Sequence, residues 1–365
     1  MKILAIETSC DDTCVAILQK EADKLNFLSS AVSSQIEVHR EWGGVYPTLA
    51  KREHQKNLVP VLEKALKEAG LLKLGNSYKN VSKILQREDI LAKNLTEFLK
   101  KYNVPDIDYL AVTVGPGLDP SLWAGINFAK ALAFNWEKPI IPVNHIKAHF
   151  LAPLVLEEGV FPAVSLLASG GHTQLIVSED LKTHKVIGKT RDDAAGECFD
   201  KTARIIGLDY PGGPEIAKLA KEETDKKVSL PRPMIKSKDY DFSFSGLKTA
   251  VLYKWRDEEE KTQNSKIAMA KEIQEAITDV LVEKTFKAVE EYNAKTVVVG
   301  GGVSANLVLR EKIKKHGKDL KVILPDLDFS TDNAKMIAVT AAYENENPLT
   351  VDWKELKSKP NLKIN

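Results

Sequence analysis

Short apolar runs ending in polar or glycine-rich turns alternate with longer stretches of helical spacing, and this predicts an α/β chain. Lys2 to Glu7 is such a run. It ends in Thr8-Ser9-Cys10-Asp11-Asp12-Thr13, and a second run, Cys14 to Leu18, follows. The pattern reads as strand, polar turn, strand, with hydroxyls and backbone N–H groups crowded at the turn. Phe27 to Val32 reads as a third strand. From Thr48 to Ala69, Leu49, His54, Leu58, Leu62 and Leu66 recur at helical spacing, and Gly70 stops the helix. Tyr109 to Val114 is a nearly continuous apolar run, as buried parallel strands are. It ends in Gly115-Pro116-Gly117, ahead of a helix from Ser121 to Phe134. Ile140 to Val143 is the next strand and delivers a helix that carries His145 and His149.

The second half repeats this plan. Ala163 to Ala168 runs into Ser169-Gly170-Gly171-His172-Thr173, and Gln174 to Val177 continues as a strand. Helices follow, the clearest from Asp192 to Ile206 and from Lys266 to Glu291. Thr296 to Val299 then ends in Gly300-Gly301-Gly302, with a helix beginning near Ser304. We read an internal duplication of structure, though not of sequence. It predicts two α/β lobes, residues 1–147 and 148–365, with glycine-rich loops at strand ends facing a shared cleft. The final helix is expected to pack back on the N-terminal lobe.

Residues 71–104 interrupt the first lobe, and their loose leucine spacing reads as a helical insertion. They carry seven Lys and Arg against three Asp and Glu. Lys79, Lys83 and Arg87 fall four apart, which would place three cations on one helical face. Such a face suits phosphates or plain solvent equally. Trp353 to Asn365 is lysine-rich and reads as poorly ordered.

With 365 residues, 43% of them hydrophobic, the chain can build two substantial cores. Its 52 basic and 51 acidic residues neither demand nor exclude a nucleic-acid partner. Three cysteines without CxxC spacing exclude a disulfide framework and point to a reducing compartment. Glu7 arrives before a signal-peptide core could form, and no apolar run approaches a membrane span. A cytoplasmic protein with no membrane partner is expected.

Five stretches can carry chemistry. His145 and His149, four apart on a helix, can reach one cation, and two ordinary surface or core histidines fit the same spacing. In Ser169-Gly170-Gly171 the glycines allow close backbone approach and can cradle a phosphate, although a tight hairpin explains them too. Asp193, Glu197 and Asp200 lie on adjoining turns beside Ala194, Ala195 and Gly196, and a solvated face is their default. Gly300-Gly301-Gly302 leads to Asn306, whose amide could read a base or ribose edge. Thr331-Asp332-Asn333-Ala334 opens the final helix, where capping alone would justify Thr or Asp. A carboxylate there facing the cleft would complete a His-His-Asp metal set.

Taken in order, these motifs form one long signature. Glu7-Thr-Ser-Cys-Asp-Asp-Thr13, the His145–His149 pair, Ser169-Gly-Gly-His-Thr173 and Asp192-Asp-Ala-Ala-Gly-Glu197 come first. Phe199-Asp-Lys201, Tyr210-Pro-Gly-Gly-Pro214, Asp241-Phe-Ser-Phe-Ser-Gly246, Gly300-Gly-Gly-Val-Ser-Ala-Asn306 and Thr331-Asp-Asn333 follow. The chain resembles the tRNA threonylcarbamoyladenosine transferase family, the TsaD type once called O-sialoglycoprotein endopeptidases, over nearly all of its length outside 71–104 and the last residues. The resemblance implies the duplicated two-lobe fold of the actin/Hsp70/sugar-kinase type. It implies that His145, His149 and Asp332 hold one divalent metal, Fe(2+) or Zn(2+). It assigns Leu167, Ala168, Ser169, Gly170 and Gly171 to the activated carbamoyl-adenylate, Asp200 and Gly213 to its ribose, and Asn306 to the neighbourhood of its adenine. Lys147-Ala148 between the histidines, and Asp119-Pro120 with Trp123 after the Gly115 loop, depart from the family pattern, as does the insertion. These departures bear on partner surfaces and cleft shape.

The implied reaction moves an L-threonylcarbamoyl group from threonylcarbamoyl-AMP to N6 of adenosine 37 in tRNAs reading codons that begin with A. The implied protein partners are a paralogous lobe-dimer subunit of the TsaB type and a small ATPase of the TsaE type. A metalloprotease is the first rival, but Ile146 stands where a zincin helix places its general-base Glu. An ATP phosphotransferase of the same fold is the second, and magnesium-based phosphotransfer needs no His-His-Asp set. A non-catalytic scaffold paralogue would have no reason to keep the three residues.

Overall fold

The computed structural model describes residues 1–22, 24–343 and 350–364. The apolar runs form two five-stranded sheets among these residues. The first holds β1 (Lys2–Glu7), β2 (Asp12–Glu21), β3 (Lys24–Ser34), β4 (Tyr109–Gly115) and β5 (Ile140–Asn144), in the order β3-β2-β1-β4-β5. β2 runs antiparallel to β1 and β3, while β4 runs parallel to β1 and β5. The second holds β6 (Ala163–Ala168), β7 (Thr173–Ser178), β8 (His184–Lys189), β9 (Thr296–Gly300) and β10 (Lys321–Ile323), in the order β10-β9-β6-β7-β8. Its antiparallel and parallel pairings fall in the same places. The duplication read from the apolar pattern is therefore a duplication of topology.

Each sheet has its own core, in one of two units. Unit one comprises Met1–Val38, Val45–Ala152 and Asp332–Ile364, and unit two His39–Gly44 and Pro153–Thr331. In unit one, Leu4, Ile6, Val15 and Ile17 pack with Leu58, Leu62, Phe128 and Leu132 from the helices Pro47–Glu68 and Asp119–Trp136. Ile3, Ala5 and Ala16 alternate onto the other face and are also fully buried, and the helix Ala334–Tyr343 runs along β1 and β2. In unit two, Val164, Leu166, Val297 and Val299 meet Phe199, Ile273 and Leu281 from the helices Ala195–Ile205 and Gln263–Glu291. Full burial of each such side chain is worth about 1.5–3 kcal/mol.

Three expectations are corrected. The 71–104 stretch is helical only over Asp89–Lys101. Before that the chain turns irregularly, with the side chains of Asn76 and Asn80 accepting from Tyr78 N and Ser82 N, local bonds that compete with a helix. Lys79, Lys83 and Arg87 therefore share no helical face. Lys79 is instead paired with Glu137 and sits 5.8 Å over the Phe134 ring. The helix expected from Asp192 begins at Ala195, because Asp192 accepts from Phe244 N and Ser245 N ahead of the helix Ser245–Arg256. Finally, residues 350–364 are docked rather than loose. Val351 pairs with Ile140, Trp353 packs edge-on to Phe134, and Leu356 is buried. Lys359 N donates to Val114 O at 2.7 Å, and a Cβ on Gly115 (φ +148) would lie 1.9 Å from Lys359 O, so only glycine fits beneath this segment.

Candidate functional site

In unit one, β5 ends at Asn144, whose side-chain oxygen accepts from Lys147 N at 3.1 Å and caps the helix His145–Leu156. The cap fixes His145 as the first helical residue, and His149 follows one turn later. The two rings stand edge to face, 4.7 Å between centroids, and both are nearly sealed from solvent. Their Nε2 atoms lie 3.5 and 3.2 Å from the same Asp332 oxygen. The capping role that Thr331 or Asp332 could have taken belongs to Asn333, which accepts from Met336 N at 2.9 Å. Asp332 is thereby released toward the histidines, and Cys14 Sγ donates to its backbone oxygen at 3.6 Å.

Sequence reasoning left Glu7 without a role. This fully buried carboxylate accepts from His145 Nδ1 at 3.0 Å and Thr113 Oγ1 at 2.6 Å, and its other oxygen accepts from Ser9 N. A charged residue ending an otherwise apolar central strand was the available signal, since such a charge must find partners. With Nδ1–H held by Glu7, Nε2 of His145 is the nitrogen left for a ligand. Ligand atoms of His145, His149 and Asp332 all fall within 4.8 Å of one another. Two imidazoles and a carboxylate at this separation fit a divalent ion with an open coordination position. The Nδ1 of His149 is buried with no hydrogen-bond partner among the described residues.

The charges respond accordingly. Burial pulls the His145 pKa down, but the Asp332 and Glu7 carboxylates outweigh it and push it up to about 9. For His149, burial wins, helped by the neighbouring His145, and its pKa falls. Burial pushes Asp12, at the start of β2, up to about 7, with Asp11, Asp332 and Glu7 adding to the rise against a bond from Ser34.

In unit two the turn between β6 and β7 is held by backbone bonds and by Ser169 Oγ, which accepts from His172 N at 3.1 Å. Leu167 and Ala168 lie in the buried strand, and Ser169 N donates to His172 O at 2.8 Å to close the turn. A Cβ on Gly196 would meet Ser169 O at 2.6 Å and Gly170 N at 2.7 Å. One on Gly301, at φ +83, would meet Ala168 O at 2.5 Å. Two glycine segments thus press against the turn, while Gly170 and Gly171 themselves face open space. Asp200 lies one turn beyond Gly196 on the same helix, and its Oδ1 accepts from Gly212 N at 2.7 Å, at the start of the helix Gly212–Leu219. Gly213 has no atom nearer than 3.9 Å to an added Cβ. Asn306 caps the helix Leu307–His316 through Leu309 N, and its Nδ2 donates to Gln274 Oε1 at 2.8 Å. Asp193 and Glu197 are each paired with Lys201 at 2.8 Å, Glu197 on the helix surface and Asp193 half-buried just ahead of the helix.

The family described as tRNA N6-adenosine threonylcarbamoyltransferase (TsaD) matches residues 26–74 and 86–339. The chain belongs to this family. A tRNA N6-adenosine threonylcarbamoyltransferase of Persephonella marina is 46% identical over 361 residues, 97% of this chain and 93% of the relative. That of Thermosipho africanus is 42% identical over 367 residues, the full length of both. Among solved structures, full-length HypF in a phosphate- and nucleotide-bound form superposes with a TM-score of 0.54 at 14% identity, over 95% of this chain and 47% of that one. That likeness speaks to the fold alone, the duplicated α/β architecture of the actin/Hsp70/sugar-kinase type. The family match skips residues 75–85, inside the stretch that turns irregularly before the helix Asp89–Lys101. No helix among the described residues is long and apolar enough to cross a membrane.

Proposed function

We propose that this tRNA N6-adenosine threonylcarbamoyltransferase takes its acyl group from threonylcarbamoyl-AMP, and that His145, His149 and Asp332 hold one Fe(2+) or Zn(2+). The near-full-length match to the transferase family carries the reading of the activity. The geometry of the three ligand groups supports the metal. In the reaction, N6 of adenosine forms a bond to the carbamoyl carbon, the bond from that carbon to a phosphate oxygen of AMP breaks, and N6 loses one proton. When bound, the ion supplies Lewis-acid polarisation of the threonylcarbamoyl oxygens. Glu7 keeps the Nδ1 proton of His145 and so fixes the ring for ligation through Nε2.

The backbone of Gly170 and Gly171 suits the phosphate that departs with AMP, because both glycines face open space while Ser169 N is spent on closing the turn. Asp200 spends Oδ1 on Gly212 N, and its carboxylate is assigned to the ribose hydroxyls beside Gly213. Asn306, held by Gln274, is assigned to the neighbourhood of the adenine. Protein partners of the TsaB and TsaE types and a cytoplasmic setting belong to the same reading. The protease alternative is not favoured: Ile146, next to the first histidine, is buried and carries no base.

Incubation of the purified protein with unmodified tRNA and threonylcarbamoyl-AMP, with and without the two partner proteins, tests the proposal. Nucleoside mass spectrometry should find the threonylcarbamoyl group on adenosine. Modification only when ATP, threonine and bicarbonate replace the adenylate would refute the donor assignment. A fully active preparation that metal analysis shows to be free of iron and zinc would refute the metal.

A further inference from the structure

The strongest feature outside these groups is the segment expected to be loose. From Lys357 to Ile364 exposure alternates: Lys357, Lys359, Asn361 and Lys363 face outward, while Ser358, Pro360, Leu362 and Ile364 are half-buried. One side of the segment is thus laid on the unit and the other faces solvent, with a single turn where Leu362 N donates to Lys359 O at 2.9 Å. It is fastened along its length. Ser358 Oγ donates to Asp119 Oδ1 at 2.6 Å, Lys359 N to Val114 O at 2.7 Å, Gly117 N to Pro360 O at 3.2 Å and Asn144 Nδ2 to Lys363 O at 3.1 Å. Asn144 is the residue that caps the histidine helix. Three lysines are therefore carried on a fixed backbone that reaches the residue before His145.

None of the three forms an ion pair with a described residue, and from 353 to 364 four lysines stand against a single glutamate. Burial, and then repulsion from Lys357, lowers the pKa of Lys130, so positive charge is concentrated at this edge of the unit. An ordered row of unpaired cations costs self-repulsion and gains nothing within the chain. Lys357 and Lys359, on the extended part of the segment, stand about 6.6 Å apart, and Lys363 follows the turn closed by Leu362 N on Lys359 O at 2.9 Å, so the three cations point outward from separate places on one fixed segment.

We propose that Lys357, Lys359 and Lys363 form a phosphate-contacting strip for the tRNA substrate, holding its backbone beside the histidine helix. The inference rests on the transferase reading above, which makes an RNA polyanion the substrate.

The test compares two triple variants with the unaltered protein. Lys357→Gln, Lys359→Gln, Lys363→Gln removes the strip. Lys79→Gln, Lys83→Gln, Arg87→Gln removes the same charge from the irregular stretch. Filter binding of unmodified tRNA between about 50 and 200 mM salt gives Kd and its salt slope. The strip variant should bind about tenfold more weakly at low salt, with a log–log slope shallower by about 2 to 3, since each phosphate contact contributes about 0.7–0.9. Its metal content and melting temperature should match the unaltered protein, and the second variant should keep the original slope. An unchanged Kd and slope in the strip variant overturns the strip alone and hands this surface to an acidic protein partner. Equal losses in both variants overturn it as a general charge effect. Failure of the unaltered protein to bind tRNA overturns the substrate reading and the strip together.

Discussion

The turn after β1 and the turn after β6 occupy the same place in two copies of one topology, yet they have opposite chemistry. The first, residues 8–11, is filled with side chains. Ser9 Oγ lies 3.2 Å from His145 Nδ1, and Glu7 beside it grips the same ring. The second is closed by backbone and the Ser169 hydroxyl, which accepts from His172 N at 3.1 Å, with Gly170 and Gly171 open and Gly196 and Gly301 allowing neighbours to press close. Turns of equal topology can thus be specialised in two ways. Side chains around the first hold the His145 ring in place for a compact ligand. Bare peptide N–H groups supply a cradle for something anionic and larger. Each design fails differently, and the predictions exploit that.

The largest effect is expected on the side-chain-rich half. His149→Ala or Asp332→Ala should abolish metal binding and lower activity by about 10²–10⁴-fold, the several kcal/mol a Lewis acid supplies. Both variants should still fold, because the cap on the last helix belongs to Asn333. Metal analysis that finds full occupancy in either variant would remove that residue from the ligand set. Glu7→Gln should act one step back, lowering metal affinity about 10–100-fold while leaving His145 in place. An unaltered metal dissociation constant would reduce Glu7 to a structural carboxylate.

The same group predicts a pH signature in the metal-free protein. The folded-state pKa of His145, about 9, lies above the ordinary 6.5 of the unfolded chain. Its contribution to stability is complete below about pH 6.5 and is lost as pH rises toward 9. His149, with its pKa lowered by burial, acts in the other direction, costing stability as pH falls below 6.5. Denaturant titration of the metal-free protein should show stability falling between pH 6.5 and 9. The fall should vanish in His145→Gln. A flat profile in that window would mean that Asp332 and Glu7 do not hold the imidazolium form of His145.

How far the sequence could see follows the same division. Regular strands were legible because apolar runs and glycine stops are local: β6 spans Ala163–Ala168 as expected, and β1 likewise ends at Glu7. The histidine pair was legible for the same reason, since helical spacing alone puts both rings on one side. Asp332 was legible only as one of two readings, a cap or a carboxylate facing the histidines, because only packing shows that Asn333 takes the cap and that Asp332 lies beside both rings. Glu7 stayed hidden because its partners lie 106 and 138 residues away. The order of residues 350–364 was missed because charge content argued for solvent. The half-buried alternation that docks them depends on a surface formed by β4, β5 and the Gly115 loop.

The smallest expected effect separates the two kinds of glycine in the second turn. Gly196→Ala places a Cβ 2.6 Å from Ser169 O and 2.7 Å from Gly170 N, both backbone atoms that cannot step aside. Overpacking of this kind costs about 1–3 kcal/mol and displaces the cradle. Gly170→Ala meets nothing within 4 Å and, with no positive φ at that position, should change stability by less than about 0.5 kcal/mol. Yet if the open edge receives a phosphate, the added methyl stands where the ligand must approach. Its cost should then appear as weaker binding of AMP or of a non-hydrolysable carbamoyl-adenylate. The two substitutions should therefore separate on two axes, melting temperature for Gly196 and nucleotide affinity at constant melting temperature for Gly170. Calorimetry that finds Gly170→Ala as tight as the unaltered protein would leave the second turn as a hairpin with glycines for its geometry alone. The contrast between the two turns would then lose its functional half.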